Sequence, residues 1–293
     1  MQKMKFWIRA IRPHTLSATI IPVTMGAVLV IKEGVFHWGY LLLSLITMIL
    51  IQSAVNLIND HDDYINKVDT KESLGSSRVV AEEKLTAKEL YIVGSILVAV
   101  AFVLGVIISA QRGWFIFVIG LCGIALVYSY TGKPLRLKYR GLGFIIIFIV
   151  FGPLALMGSY YVQALTLSRE ALILSIPIGM LTTAILQAND LRDMQHDKLA
   201  GIKTLSIIIG KERGETVYRG LILLPYAFLI AMIFFDTLPN WSVMVFLTLP
   251  SANSNIKTFS NPGKMTSNII ELDKKTAQLQ AQFGVLLIAS VLL

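Results

Sequence analysis

The stretch ILIQSAVNLINDHDDYINKVDT carries Asn56, Asp60 and Asp63 at i, i+4 and i+7, so on a helix three oxygen-bearing side chains share one face. A second stretch, AILQANDLRDMQHDKLAGIKTLSIIIG, carries Asn189, Asp193 and Asp197 at i, i+4 and i+8, again a single stripe. Any one Asp at the end of an apolar run is ordinarily a solvated loop charge. Several carboxylates on one helical stripe repel one another, however, and the pattern occurs twice, which calls for a cation to neutralise them. All-oxygen donors select a hard ion. Mg2+ takes only one or two protein carboxylates and completes its shell with water or substrate phosphate, so two such stripes facing one cavity make a diphosphate site.

A diphosphate also needs protein cations, and the candidates are Arg78 in GSSRVV, Lys133 and Arg136 in YTGKPLRLKYR, and Lys203 in GIKT. Guanidinium and ammonium groups both serve, the first bidentate and the second as a point charge. Arg12, directly before Pro13, either reaches the same cavity or snorkels to the membrane surface. His61 and His196 lie within the acidic stretches but off the stripes, and they read as loop positions, not ligands. The single cysteine, Cys122, excludes an intrachain disulfide and a multi-cysteine metal site.

The elements that must hold these stripes are set by composition. With 55% hydrophobic and 15% charged residues, most of the chain has lipid as its solvent. Apolar runs fall at 13–31, 37–57, 89–110, 114–130, 142–163, 170–188, 217–235, 240–256 and 278–293. Most approach the roughly 20 residues that cross about 30 Å of hydrocarbon. The eighth is interrupted by Pro250 and polar residues, and the ninth is short. The basic start, MQKMKFWIRAIRPHTL, leads into an apolar run with no small-residue cleavage site after it and reads as the first span.

The expected fold is therefore all-α, a polytopic bundle of about nine transmembrane helices with a cytoplasmic N-terminus. Lys and Arg distribution checks this independently. The outer loops hold only Lys32, Arg112 and Arg169, whereas the inner segments carry the rest, down to Lys257, Lys264, Lys274 and Lys275. A net charge of +8 spread over short inner loops forms no long basic face for nucleic acid. The chain reads as one domain over 1–293, with two pseudo-repeated four-helix halves at 13–130 and 142–256 and a last helix at 278–293. Aligning Asn56 with Asn189 puts Asp60 on Asp193; pairing Asn59, Asp60 and Asp63 with Asn189, Asp190 and Asp193 is an equal alternative.

The paired stripes resemble those of the UbiA-type intramembrane prenyltransferases, with Asn-x-x-x-Asp-x-x-Asp after helix two and Asp-x-x-x-Asp after helix six. The likeness covers nearly the whole chain. The strings RPHTLSATIIPV, NLINDHDDYINKVDT, GSSRVV, YTGKPLRLKYRGLG and NDLRDMQHDKLAGIKTLSIIIG are most similar to the branch that prenylates 1,4-dihydroxy-2-naphthoate. The resemblance implies Mg2+ held by Asp60, Asp63, Asp193 and Asp197, with Asn56 and Asn189 supporting the diphosphate. It implies transfer from a polyprenyl diphosphate to the aromatic acceptor, with loss of CO2 and diphosphate, in the cell membrane with the site facing the cytoplasm. It implies no obligate protein partner. Tyr64 stands where many members carry an acid, so Asp63 follows the naphthoate-type spacing.

Other acceptors, such as 4-hydroxybenzoate or homogentisate, fit the same motifs. Two other classes fit worse. A CDP-alcohol phosphotransferase uses one compact acidic cluster, and a secondary transporter places its ionisable groups near mid-membrane.

Overall fold

In the computed structural model, residues 2–71, 75, 77–260 and 269–293 are described. Among them every regular element is helical. Lys264, counted above among the inner cations, lies outside the described residues.

The chain opens with α1 (Gln2–Ile11), an amphipathic helix that turns into α2 (Ser17–Val28) through a short 3-10 turn at Pro13–Thr15. The break has a local cause. Arg12 precedes a proline, which disfavours helical backbone, and it adopts the left-handed region at φ 56°. The two halves bend by 52°, so the single span expected at 13–31 begins instead as a broken pair. Next come α3 (Trp38–Ile65), α4 (Ala87–Arg112) and α5 (Trp114–Thr131). Thr86 and Glu89 close a reciprocal capping box at the start of α4.

The next span is α6 (Gly143–Ile149) and α7 (Ala155–Ala164), joined by a turn of π-helix at Val150–Leu154 that contains Pro153. It is followed by α8 (Arg169–Leu199), α9 (Leu205–Ile209) and α10 (Lys211–Phe234). The chain then forms a 3-10 stretch at Asn240–Thr248, α11 (Leu249–Ile256) and α12 (Leu272–Leu292). Both acid-bearing helices run past their apolar spans as unbroken helix, so each stripe is real: Asn56, Asp60 and Asp63 on α3, Asn189, Asp193 and Asp197 on α8.

Among the described residues six helices are long and apolar enough to cross a membrane, and seven spans result if the bent α1–α2 pair is one. The expected eighth and ninth runs are helical but do not reach that length and hydropathy. The eighth divides into a 3-10 stretch and an eight-residue helix at Pro250, and the ninth is diluted by Gln278, Gln280 and Gln282. The chain is a multi-pass membrane protein.

Helix α8 is the axis of the bundle, with 72% of its apolar window buried against 22% for the peripheral α5. The main core packs α8 against α2, α7, α10 and α12 through Leu156, Leu174, Leu181, Ile222, Leu279 and Phe283. On α4 and α5, Ile96, Val103, Phe117 and Leu121 face outward, the surface expected against lipid. At the far end from the acids, Gln163 exchanges two hydrogen bonds with the His37 backbone and Arg112 donates to the Val162 carbonyl at 2.6 Å. These contacts pin α7 to α3 and α4.

Candidate active site

The C-terminal ends of α3 and α8 form the wall of a cavity of about 150 Å³. Asn56, Asp63, Asn189, Asp193 and Asp197 line it, with Arg12 from the α1–α2 break. So the two stripes, far apart in sequence, open on one space. Asp60 stands just behind the wall, 2% exposed, because Arg12 donates to one of its oxygens and Ser77 Oγ to the other. Asn56 Nδ2 donates to the Ile11 carbonyl at 2.7 Å and to Thr15 Oγ1 at 3.1 Å, which holds the α1–α2 corner and the arginine on it.

Asp63 is gripped by a loop the acidic motifs do not include. Lys138 Nζ donates to Asp63 Oδ2 at 2.7 Å, and the Tyr139 hydroxyl donates to Oδ1. Burial disfavours the Lys138 ammonium, but Asp63, Tyr139 and Asp197 around it hold its pKa well above the ordinary lysine value. The Tyr139 phenol is pushed up too, first by burial and then by Asp63. Asp69, in the loop after α3, lines the cavity, and burial, then Asp63 and Asp60, push it up to about 7. Across the cavity, Arg192 binds Asp193 through Nε and Nη2 at 2.9 and 2.7 Å.

Of the cations expected at phosphate, Arg12 lines the cavity, whereas Arg78, Lys133, Arg136 and Lys203 do not. Arg78 pairs with Glu82, Arg136 donates to Asn66, and Lys133 and Lys203 are exposed. Lys138 and Arg192 do line it. Sequence reasoning passed over both: Lys138 stands two residues beyond Arg136 in the same basic string, and Arg192 looks like an inner-loop charge explained by topology. Asp190, off the Asn189 stripe, also faces the cavity, as does His196, which the stripe pattern set aside.

Above this polar space lies a second cavity, of about 190 Å³, between α3, α4, α5 and the α6–α7 span. Its walls are almost wholly apolar, including Met48, Ile51, Ile124 and Val150. Gln52, Val55, Tyr130, Ile147 and Phe151 belong to both cavities, so a charged chamber and a greasy one share a wall. That arrangement suits a ligand with an anionic head and a long apolar tail.

The sequence matches the UbiA prenyltransferase family over residues 19–258. The chain belongs to that family. It is 32% identical over 282 residues to the 1,4-dihydroxy-2-naphthoate octaprenyltransferase of Bacillus subtilis, covering 96% of this chain and 90% of that protein. It is 30% identical to human UbiA prenyltransferase domain-containing protein 1, covering 100% of this chain and 85% of the relative. The fold is also that of solved UbiA homologues. An apo structure from Aeropyrum pernix superposes with a TM-score of 0.67 at 13% identity, over 92% of this chain and 97% of the other. A homologue from Archaeoglobus fulgidus bound to DMAPP and Mg2+ gives 0.63 at 12% identity, over 97% and 99%.

In this UbiA chain the donor set fits a hard divalent cation. Among the described residues no three His, Cys, Asp or Glu side chains close on one point. The reason is visible in the pairing: Arg12, Lys138 and Arg192 hold Asp60, Asp63 and Asp193. Asp69 and Asp197 also line the cavity, and Asn189 Oδ1 is buried and lacks a hydrogen-bond partner among the described residues. An ion that takes one or two carboxylates and fills its shell from phosphate oxygens suits that lining, and a cage-forming ion does not.

Proposed function

We propose that the chain transfers a polyprenyl group from a polyprenyl diphosphate to 1,4-dihydroxy-2-naphthoate, releasing diphosphate and CO2 and leaving the prenylated naphthalenediol, the reduced form of demethylmenaquinone, in the bilayer. The observation that carries the reading is the shared wall between the acidic cavity and the apolar one. The acceptor is favoured by the Bacillus subtilis relative, whose name gives the same ring.

In this reading Asp60, Asp63, Asp193 and Asp197 are the carboxylates toward Mg2+, with Asn56 and Asn189 beside them. When bound, the ion supplies charge stabilisation for the departing diphosphate. Arg12 and Lys138 add fixed positive charge at the same place, and they are already oriented by Asp60 and Asp63, so little reorganisation is needed as the allylic C–O bond breaks. The electrons of that bond leave with the diphosphate. Val55, Ile147 and Phe151 hold water away from the allylic cation that forms at their side of the wall. The electron-rich ring carbon bearing the carboxylate then forms the new C–C bond, and loss of CO2 returns the electron pair to the ring and restores aromaticity. The tail explains why the site lies among membrane helices: each buried CH2 contributes roughly 0.8 kcal/mol.

The same reading takes the bundle as nine spans, adding 240–256 and α12 to the seven above, in the cell membrane with the N-terminus and the acidic cavity on the cytoplasmic side. Its support is the Lys and Arg distribution.

The test is purified protein with Mg2+, labelled polyprenyl diphosphate and either dihydroxynaphthoate or 4-hydroxybenzoate, with EDTA as control. Metal-dependent prenylation of dihydroxynaphthoate with CO2 release is expected. Transfer to hydroxybenzoate alone would keep the chemistry and reject the acceptor.

A further inference from the structure

Arg192 binds two acids at once. Its Nε and Nη2 edge meets both oxygens of Asp193, and Nη1 lies 2.7 Å from Asp273 Oδ2 in the first turn of α12. The arginine side chain is only 4% exposed and that of Asp273 9%, so these two are interior, while Asp193, 23% exposed, opens on the cavity. Asp273 is half used: its Oδ1 is buried with no hydrogen-bond partner among the described residues. A buried acceptor left unpaired is costly unless it serves another state. Gly75 packs over the edge that pairs with Asp193, where an added Cβ would run into both Arg192 Nη2 and Asp193 Oδ2. The guanidinium is thus enclosed and has one open acceptor, on Asp273.

We propose that Asp273 is a positioning residue that takes over Arg192 when Asp193 engages a cation. In the metal-free arrangement the arginine neutralises Asp193. As the ion arrives, the fork shifts toward Asp273, whose Oδ1 accepts the N–H that Asp193 gives up, and the buried guanidinium is never left unpaired. The last helix, far from both acidic motifs in sequence, becomes part of the metal response. This rests on the proposal that Asp193 is a Mg2+ carboxylate.

The experiment is the melting temperature of the purified full chain against MgCl2 at fixed inorganic diphosphate, which reads the apparent Mg2+ affinity without catalysis. Asp273→Asn should weaken that affinity about tenfold or more, the usual cost of losing a group that orients a metal ligand. Arg192→Gln should tighten it, and in that background Asp273→Asn should have no further effect. If Asp273 only anchors α12, its substitution lowers the metal-free melting temperature and leaves Mg2+ affinity alone, or weakens it equally in both backgrounds; either result overturns the hand-over. Asp193→Asn separates the two ideas. Loss of the Mg2+ response in that variant with none in Asp273→Asn rejects the hand-over alone, while an intact response in Asp193→Asn rejects the metal site beneath it.

Discussion

Lys138 and Asp63 face each other at 2.7 Å, the lysine reaching in from the α5–α6 loop and the aspartate from the end of α3. Asp197, on α8, is the next carboxylate that holds the ammonium charged. One side chain therefore pairs with the first acidic stripe and adds positive charge in the cavity that both stripes line. Lys138→Met should lower turnover by about a hundredfold or more, the scale of removing one preorganised charge at a developing anion. Initial rates at saturating polyprenyl diphosphate would show it, with an unchanged elution profile on size exclusion to establish that the bundle is intact. Turnover at the wild-type rate would remove Lys138 from the site.

Arg12 and Asp60 form a mostly buried pair, the aspartate side chain 2% exposed and the arginine 21%. Removing either partner leaves the other uncompensated at a cost of about 3 kcal/mol, whereas replacing both by apolar side chains is nearly neutral. Arg12→Met and Asp60→Leu should each lower the melting temperature, and the double variant should recover most of the loss while staying inactive. A double variant no more stable than the singles would mean that the pair is not the source of the effect.

The apolar cavity has glycines in its wall. Gly105, Gly120, Gly123 and Gly158 line it, and a Cβ at any of them would meet nothing within 4 Å. Gly158→Leu adds volume to the space and little strain to the helix. It should shift preference toward shorter prenyl diphosphates, measured as relative kcat/KM across a chain-length series. An unchanged series would argue that the tail lies elsewhere.

The acidic stripes were legible because helical spacing is a local property: Asn56, Asp60 and Asp63, and Asn189, Asp193 and Asp197, fall on one face whatever the helices pack against. The partners of those acids were not. Lys138, Tyr139 and Ser77 come from loops, and Asp273, which shares Arg192 with Asp193, from the last helix; nothing in their own neighbourhoods marks them out among the other polar residues there. Topology also hid them, because the positive-inside rule already explains every inner Lys and Arg. The bend at Arg12 was half visible in the dipeptide Arg12-Pro13, which breaks a helix but does not say where the arginine goes. Runs eight and nine show the limit of apolar counting, since Pro250 and three glutamines lower their hydropathy without preventing helix.

The central claim is that the cavity between α3 and α8 is where the diphosphate leaves. It is tested most directly by prenyl transfer to dihydroxynaphthoate in Asp193→Ala and Asp60→Ala, with labelled polyprenyl diphosphate and Mg2+, against wild type and an EDTA control. The account predicts no product above the EDTA background in either variant at matched amounts of folded protein, with Asp193→Ala recovered from the membrane fraction at wild-type yield and Asp60→Ala at a lower one, since Arg12 is left unpaired. Wild-type rates in either variant would contradict it.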